Sequence, residues 1–91
     1  MEYVRLWQDV GGWHNALVFK GRKYMTALFH GDMRIKRYTF KKYEALSPKQ
    51  PVGGMPTMSE LKTRIAERLD LYERCGAHCP KKSIQRLLAR M

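Results

Sequence analysis

Residues 33–42 read MRIKRYTFKK, and five of the ten are Lys or Arg. Ile, Tyr and Phe sit among the charges. β-branched and aromatic residues at this density suit a strand. The period of two does not yield a clean core face. One parity collects Met33, Ile35, Arg37, Thr39 and Lys41; the other collects Arg34, Lys36, Tyr38, Phe40 and Lys42. Two arrangements resolve the conflict. Either Arg34, Lys36 and Tyr38 share an exposed face, or a bulge near Lys36-Arg37 turns Tyr38 inward and leaves the cations out.

The flanking sequence supplies the strand's partners. Gly11-Gly12, Gly21 and Gly31 are regularly spaced, and the segments between them are strand-length. They are YVRLWQ (3–8), HNALVFK (14–20), KYMTALFH (23–30) and MRIKRYTF (33–40). Short apolar-rich segments joined by glycine turns form an antiparallel meander. KKYEALSP (41–48) fits a single helical turn and a short last strand. Four strands, tight turns, one helical turn and a fifth strand are similar to the plan of the small SH3-like barrel. The likeness covers residues 2–47 and implies a five-stranded antiparallel β-barrel, with an OB-like barrel as the competing plan. Such barrels serve many functions, so fold alone assigns none.

Beyond residue 47 the texture changes. Nine of the ten aromatics lie in residues 1–47. Residues 48–56, PKQPVGGMP, hold three prolines and two glycines and read as a linker. Val52 and Met55 are apolar enough to pack against the barrel. Thr57-Met58-Ser59-Glu60 is a capping box. Leu61, Ile65, Leu69 and Tyr72 then recur at helical spacing. Gly76 suits the left-handed residue that ends a helix, and Pro80 the first turn of the next. Ile84, Leu87, Leu88 and Met91 mark one face of that second helix. The expectation is an α+β chain: barrel over 1–47, linker over 48–56, and a two-helix segment, a helical hairpin, over 57–91.

Eighteen Lys and Arg face eight acids, a net charge of +10. The excess is +5 in residues 1–47 and +5 in residues 48–91, nine cations against four acids in each. The charge therefore belongs to both halves rather than to a tail. It attracts polyanions and speeds encounter with them. Two cysteines are too few for a secreted disulfide scaffold. The start, MEYVRLWQDVGG, carries an acid at position 2 and no apolar run, unlike a signal peptide. No apolar stretch has the length of a membrane span. These points favour a cytoplasmic protein without a membrane partner.

The chemistry-bearing residues fall in three groups. On the first strand Val4 and Leu6 suit the core, which turns Tyr3, Arg5 and Trp7 outward. With Arg34, Lys36, Arg37, Tyr38, Lys41 and Lys42 they suit a nucleic-acid surface, rings stacking on bases and cations neutralising phosphate. The competing reading uses the aromatics for the small core, or for a protein-binding surface. Residues 76–88 resemble the second half of a helix-turn-helix. That resemblance implies DNA contacts by Lys81, Lys82, Ser83, Gln85 and Arg86; an amphipathic hairpin is the plainer reading. Cys75, His78 and Cys79 are three ligand-type residues within five, short of the four that structural zinc needs.

No carboxylate pair, phosphate loop or catalytic Cys–His arrangement stands out, so no enzyme and no cofactor are expected. The leading expectation is a small basic non-enzymatic protein that binds DNA or RNA. The alternative is a virus- or plasmid-encoded inhibitor or adaptor that docks its basic face on an acidic host protein. The two C-terminal stripes also suit a homodimer.

Overall fold

The computed structural model describes residues 1–8, 12–46 and 56–91, and the backbone pairing of Gln50 and Pro51. Gly11 of the first turn and the expected packing of Val52 and Met55 lie outside the described residues. The chain divides into two compact units, Met1–Gly53 and Gly54–Met91.

The first unit is a meander of four antiparallel strands: β1 (Glu2–Gln8), β2 (Gly12–Lys20), β3 (Tyr24–Phe29) and β4 (Arg34–Thr39). A six-residue helix, α1 (Phe40–Ala45), follows. A two-residue piece, β5 (Gln50–Pro51), then pairs with Arg5 and Val4 on the outer side of β1. The order across the sheet is β4-β3-β2-β1-β5.

The expected five-stranded SH3-like barrel does not form: this is an open sheet of four full strands. Closure requires a last strand that bridges both edges. Here the chain leaves β4 into α1, and β5 adds to the opposite edge, next to β1. Pro51 has no N–H with which to extend that ladder. No described strand pairs with the outer edge of β4.

Local chemistry explains the punctuation. Gly21 N–H donates to the Tyr24 carbonyl at 2.9 Å and closes the β2–β3 turn. A Cβ on Gly21 would stand 3.0 Å from that same carbonyl oxygen, a crowded contact that the turn accommodates only if its backbone gives by a few tenths of an ångström. Thr39 ends β4 with extended dihedrals, and its Oγ1 accepts from Lys42 N–H at 3.2 Å. That N-cap turns strand into helix one residue earlier than the sequence suggests.

The register puts Val4 and Leu6, Ala16 and Val18, Ala27 and Phe29, and Tyr38 on one face. With Tyr43 of α1 they make a buried cluster, against which Met25 and Leu46 pack. The opposite face is also apolar at its centre, where Leu17, Phe19 and Leu28 are buried. A strand buried on both sides carries a continuous apolar run rather than an alternating one, and Ala16-Leu17-Val18-Phe19 is that run.

The second unit holds α2 (Met58–Arg74) and α3 (Lys81–Ala89). Thr57 Oγ1 accepts from Glu60 N–H at 3.1 Å, which is the forward half of the capping box. Gly76 has φ of +70°. Its N–H donates to the Glu73 carbonyl at 3.2 Å, and Ala77 N–H donates to that of Tyr72 at 2.9 Å. These two bonds form a Schellman motif and stop the helix. Leu61, Ile65 and Leu69 are buried on α2, and Ile84, Leu87 and Leu88 on α3. Among the described residues, no helix is long and apolar enough to cross a membrane.

Candidate functional site

Residues of β1 alternate about the sheet, so Tyr3, Arg5 and Trp7 share a face. The register sets Leu17, Asn15 and Trp13 of β2 opposite them. Tyr3 is buried rather than exposed on this face, at 8% exposure, and its hydroxyl lies 2.8 Å from His30 Nε2. Arg5 is exposed, and its Nε donates to Asn15 Oδ1 at 3.3 Å. Trp7 and Trp13 are 53% and 39% exposed. Their rings meet edge to face, 5.5 Å apart at 78°. Two large rings thus stand half in water, held by each other, beside a positioned guanidinium.

A notch opens next to Trp13. The β2–β3 ladder begins at Leu17 and Leu28, so residues 12–16 of β2 pair only with β1. The chain turns away through His30–Met33, leaving a cavity of about 380 Å³. Arg5, Trp13, His14, Asn15, His30 and Asp32 are among its lining residues. His14 projects from the other side of β2, and its ring lies edge-on to Phe29 at 6.4 Å. His14 Nε2 is buried and has no hydrogen-bond partner among the described residues. Both sides of β2 contribute to the wall because β3 has departed.

The opposite end of the sheet is basic. Lys20, Arg22 and Lys23 surround the β2–β3 turn, and Lys41 and Lys42 occupy the first turn of α1; all five are exposed. Lys20 Nζ stands 5.9 Å from the Phe40 ring centroid, which brings the turn and the helix start together. Glu2 and Glu44 are the acids at this end. Tyr24, 47% exposed, adds a ring there. From Asn15 to Lys20 the strand advances about 17 Å at ~3.4 Å per residue, so the notch and the basic end lie on opposite sides of the meander.

The expected site residues separate accordingly. Arg5 and Trp7 stand together on one face. Lys41 and Lys42 gather at the basic end. Arg34 and Lys36 are exposed on β4, on the core side of the sheet, whereas Arg37 is exposed on the other side. Tyr38 is a correction: at 6% exposure it is a core residue and offers no ring face to a base. No bulge turns it inward, because the β3–β4 register is unbroken from Tyr24–Thr39 to Phe29–Arg34.

In the second unit Lys82, Gln85 and Arg86 are exposed on the side of α3 away from its buried residues. Lys81 is instead engaged by Glu73 at 2.5 Å. Cys75 is exposed and Cys79 half-buried, both as free thiols. Of the apolar stripes expected for a homodimer, Leu61, Ile65, Leu69, Ile84, Leu87 and Leu88 are buried in the single chain, while Tyr72 and Met91 are half-buried.

Trp13, Asn15 and His14 were missed as site residues, and so were Lys20, Arg22 and Lys23. A signal for Trp13 existed. A hairpin centred on residue 10 pairs position 7 with position 13, which is the register found. No protein-family model, curated protein or solved structure matches the chain.

Proposed function

We propose that this protein binds nucleic acid and catalyses no reaction on it. The observation that carries this reading is the half-exposed Trp7–Trp13 pair beside Arg5, in a chain of net charge +10. Exposed rings stack on bases of any sequence, at about 1–3 kcal/mol per base. The cations supply the sequence-independent attraction to phosphate. Lys20, Arg22, Lys23, Lys41 and Lys42 form the main phosphate-contacting group. Arg34, Lys36 and Arg37 extend it along β4, and Lys82 and Arg86 form a basic patch of the second unit.

The test is a binding titration of a labelled single-stranded oligonucleotide at several salt concentrations. Five phosphate contacts, each with a slope of about −0.7, weaken binding about 10²-fold between 50 and 200 mM salt. A flat salt response overturns the reading. The second reading, an inhibitor or adaptor docked on an acidic protein, draws on the same basic end but leaves the tryptophans unused. Co-purification with and without nuclease separates the two. A protein partner that persists after nuclease favours docking; loss of all partners favours nucleic acid.

A further inference from the structure

We infer that the notch beside Trp13 takes one unpaired nucleobase, so that the ligand is single-stranded. This rests on the nucleic-acid reading above and adds strandedness and a base site to it. The cavity, about 380 Å³, falls within the range of small-ligand pockets, roughly 300–1,000 Å³. Its lining suits a heteroaromatic ring with polar edges. Trp13 provides a half-exposed ring, propped from the side by Trp7. Arg5 is fixed through its Nε to Asn15 Oδ1, which leaves its terminal N–H groups and the Asn15 amide N–H groups to donate. Asp32, whose Oδ2 lies 3.6 Å from Arg34 Nη2, can also accept from a base N–H such as the N3–H of thymine. His14 Nε2 is a buried ring nitrogen whose hydrogen-bonding capacity no described residue uses.

A lone phosphate fits this set poorly. Arg5 would welcome it, but a phosphate would use neither the Trp13 ring nor the acceptor oxygens of Asp32, which is ion-paired with Arg34 at 3.6 Å. A duplex keeps its bases stacked and paired inside, and cannot offer one to the notch without the cost of extrusion. An unpaired base from a single strand uses ring, donors and acceptor together.

The experiment exploits the tryptophan count. The chain has two tryptophans, so in Trp7→Phe the emission reports on Trp13 alone. An oligothymidylate and an abasic oligomer of equal length are titrated against this variant, with anisotropy of a label on the oligomer followed in parallel. The expected result is quenching of Trp13 by the oligothymidylate and none by the abasic strand. Adding Asn15→Leu is expected to weaken oligothymidylate binding about tenfold, the loss of one or two hydrogen bonds, and to leave abasic binding unchanged. Circular dichroism confirms that each variant is folded, and His14→Gln serves as the second variant if Asn15→Leu is not. Equal binding of both oligomers with unchanged Trp13 emission overturns the base site while leaving the nucleic-acid reading intact. Absence of binding to either oligomer at low salt overturns both.

Discussion

Lys36 Nζ lies 5.3 Å from the centroid of the Tyr38 ring, on the same face of the same strand, yet the lysine is exposed and the tyrosine buried. β4 is an edge strand. A long side chain there can run its aliphatic stem over core aromatics and keep its charge in water. Arg34 repeats the arrangement, with Cζ 5.4 Å from the Phe29 centroid. Charges on an edge strand also discourage pairing with another chain.

Substitutions on that face should therefore have unequal effects. Lys36→Ala removes a cation–π contact of about 0.5–1 kcal/mol. Tyr38→Ala empties a core site, and aromatic truncations in cores cost about 3–5 kcal/mol. Urea denaturation midpoints check this: comparable losses in the two variants would contradict the edge-strand account.

Met33 combines a left-handed backbone, φ of +53°, with a side chain that is 1% exposed. A non-glycine residue held there carries about 1–2 kcal/mol of strain. Met33→Ala loses the buried side chain, at about 2–5 kcal/mol, and keeps the strain. Met33→Gly loses the same contacts but relaxes the backbone. Glycine is thus expected to be the milder substitution by roughly 1 kcal/mol, the reverse of the order inside an ordinary strand. Thermal melts of the two variants test it, and a more stable alanine variant would refute it.

Tyr43 holds its proton to higher pH than the ordinary 10.0, first because of burial, then because of the Glu2 carboxylate and Tyr38. The unfolded chain releases this proton near the ordinary value, the folded chain later. Between those points the folded state binds more protons, so stability falls as pH rises. The contribution is complete below the unfolded value and is lost as pH rises through the folded one. Tyr43→Phe removes this one ionisation, and its melting temperature should decline less steeply than the parent's above about pH 10. Parallel declines would show that other groups govern the alkaline limb.

Much of the architecture was legible because it is local chemistry. The strand order of the meander followed from glycine turns, and both ends of α2 followed from Thr57 and Gly76. The Trp7–Arg5 face was legible too, since Val4 and Leu6 claim the opposite parity. The notch beside Trp13 was not legible. It exists because β3 parts from β2 after Leu17 and Leu28, a register fact that residue types alone do not encode.

The sequence by itself determined a basic α+β chain: the four strands of the meander, the stops between them, and two helices after a proline- and glycine-rich segment. Tertiary structure alone decided that the sheet stays open, with β4 at its edge. From that follows the resolution of MRIKRYTFKK. Arg34, Lys36 and Tyr38 do share one face, but it is the core face, and the cations escape it over the rings of Phe29 and Tyr38. Alternation specifies which side of a strand a residue takes. Whether that side is dry depends on how far the strand lies from the edge, and only the assembled sheet sets that distance.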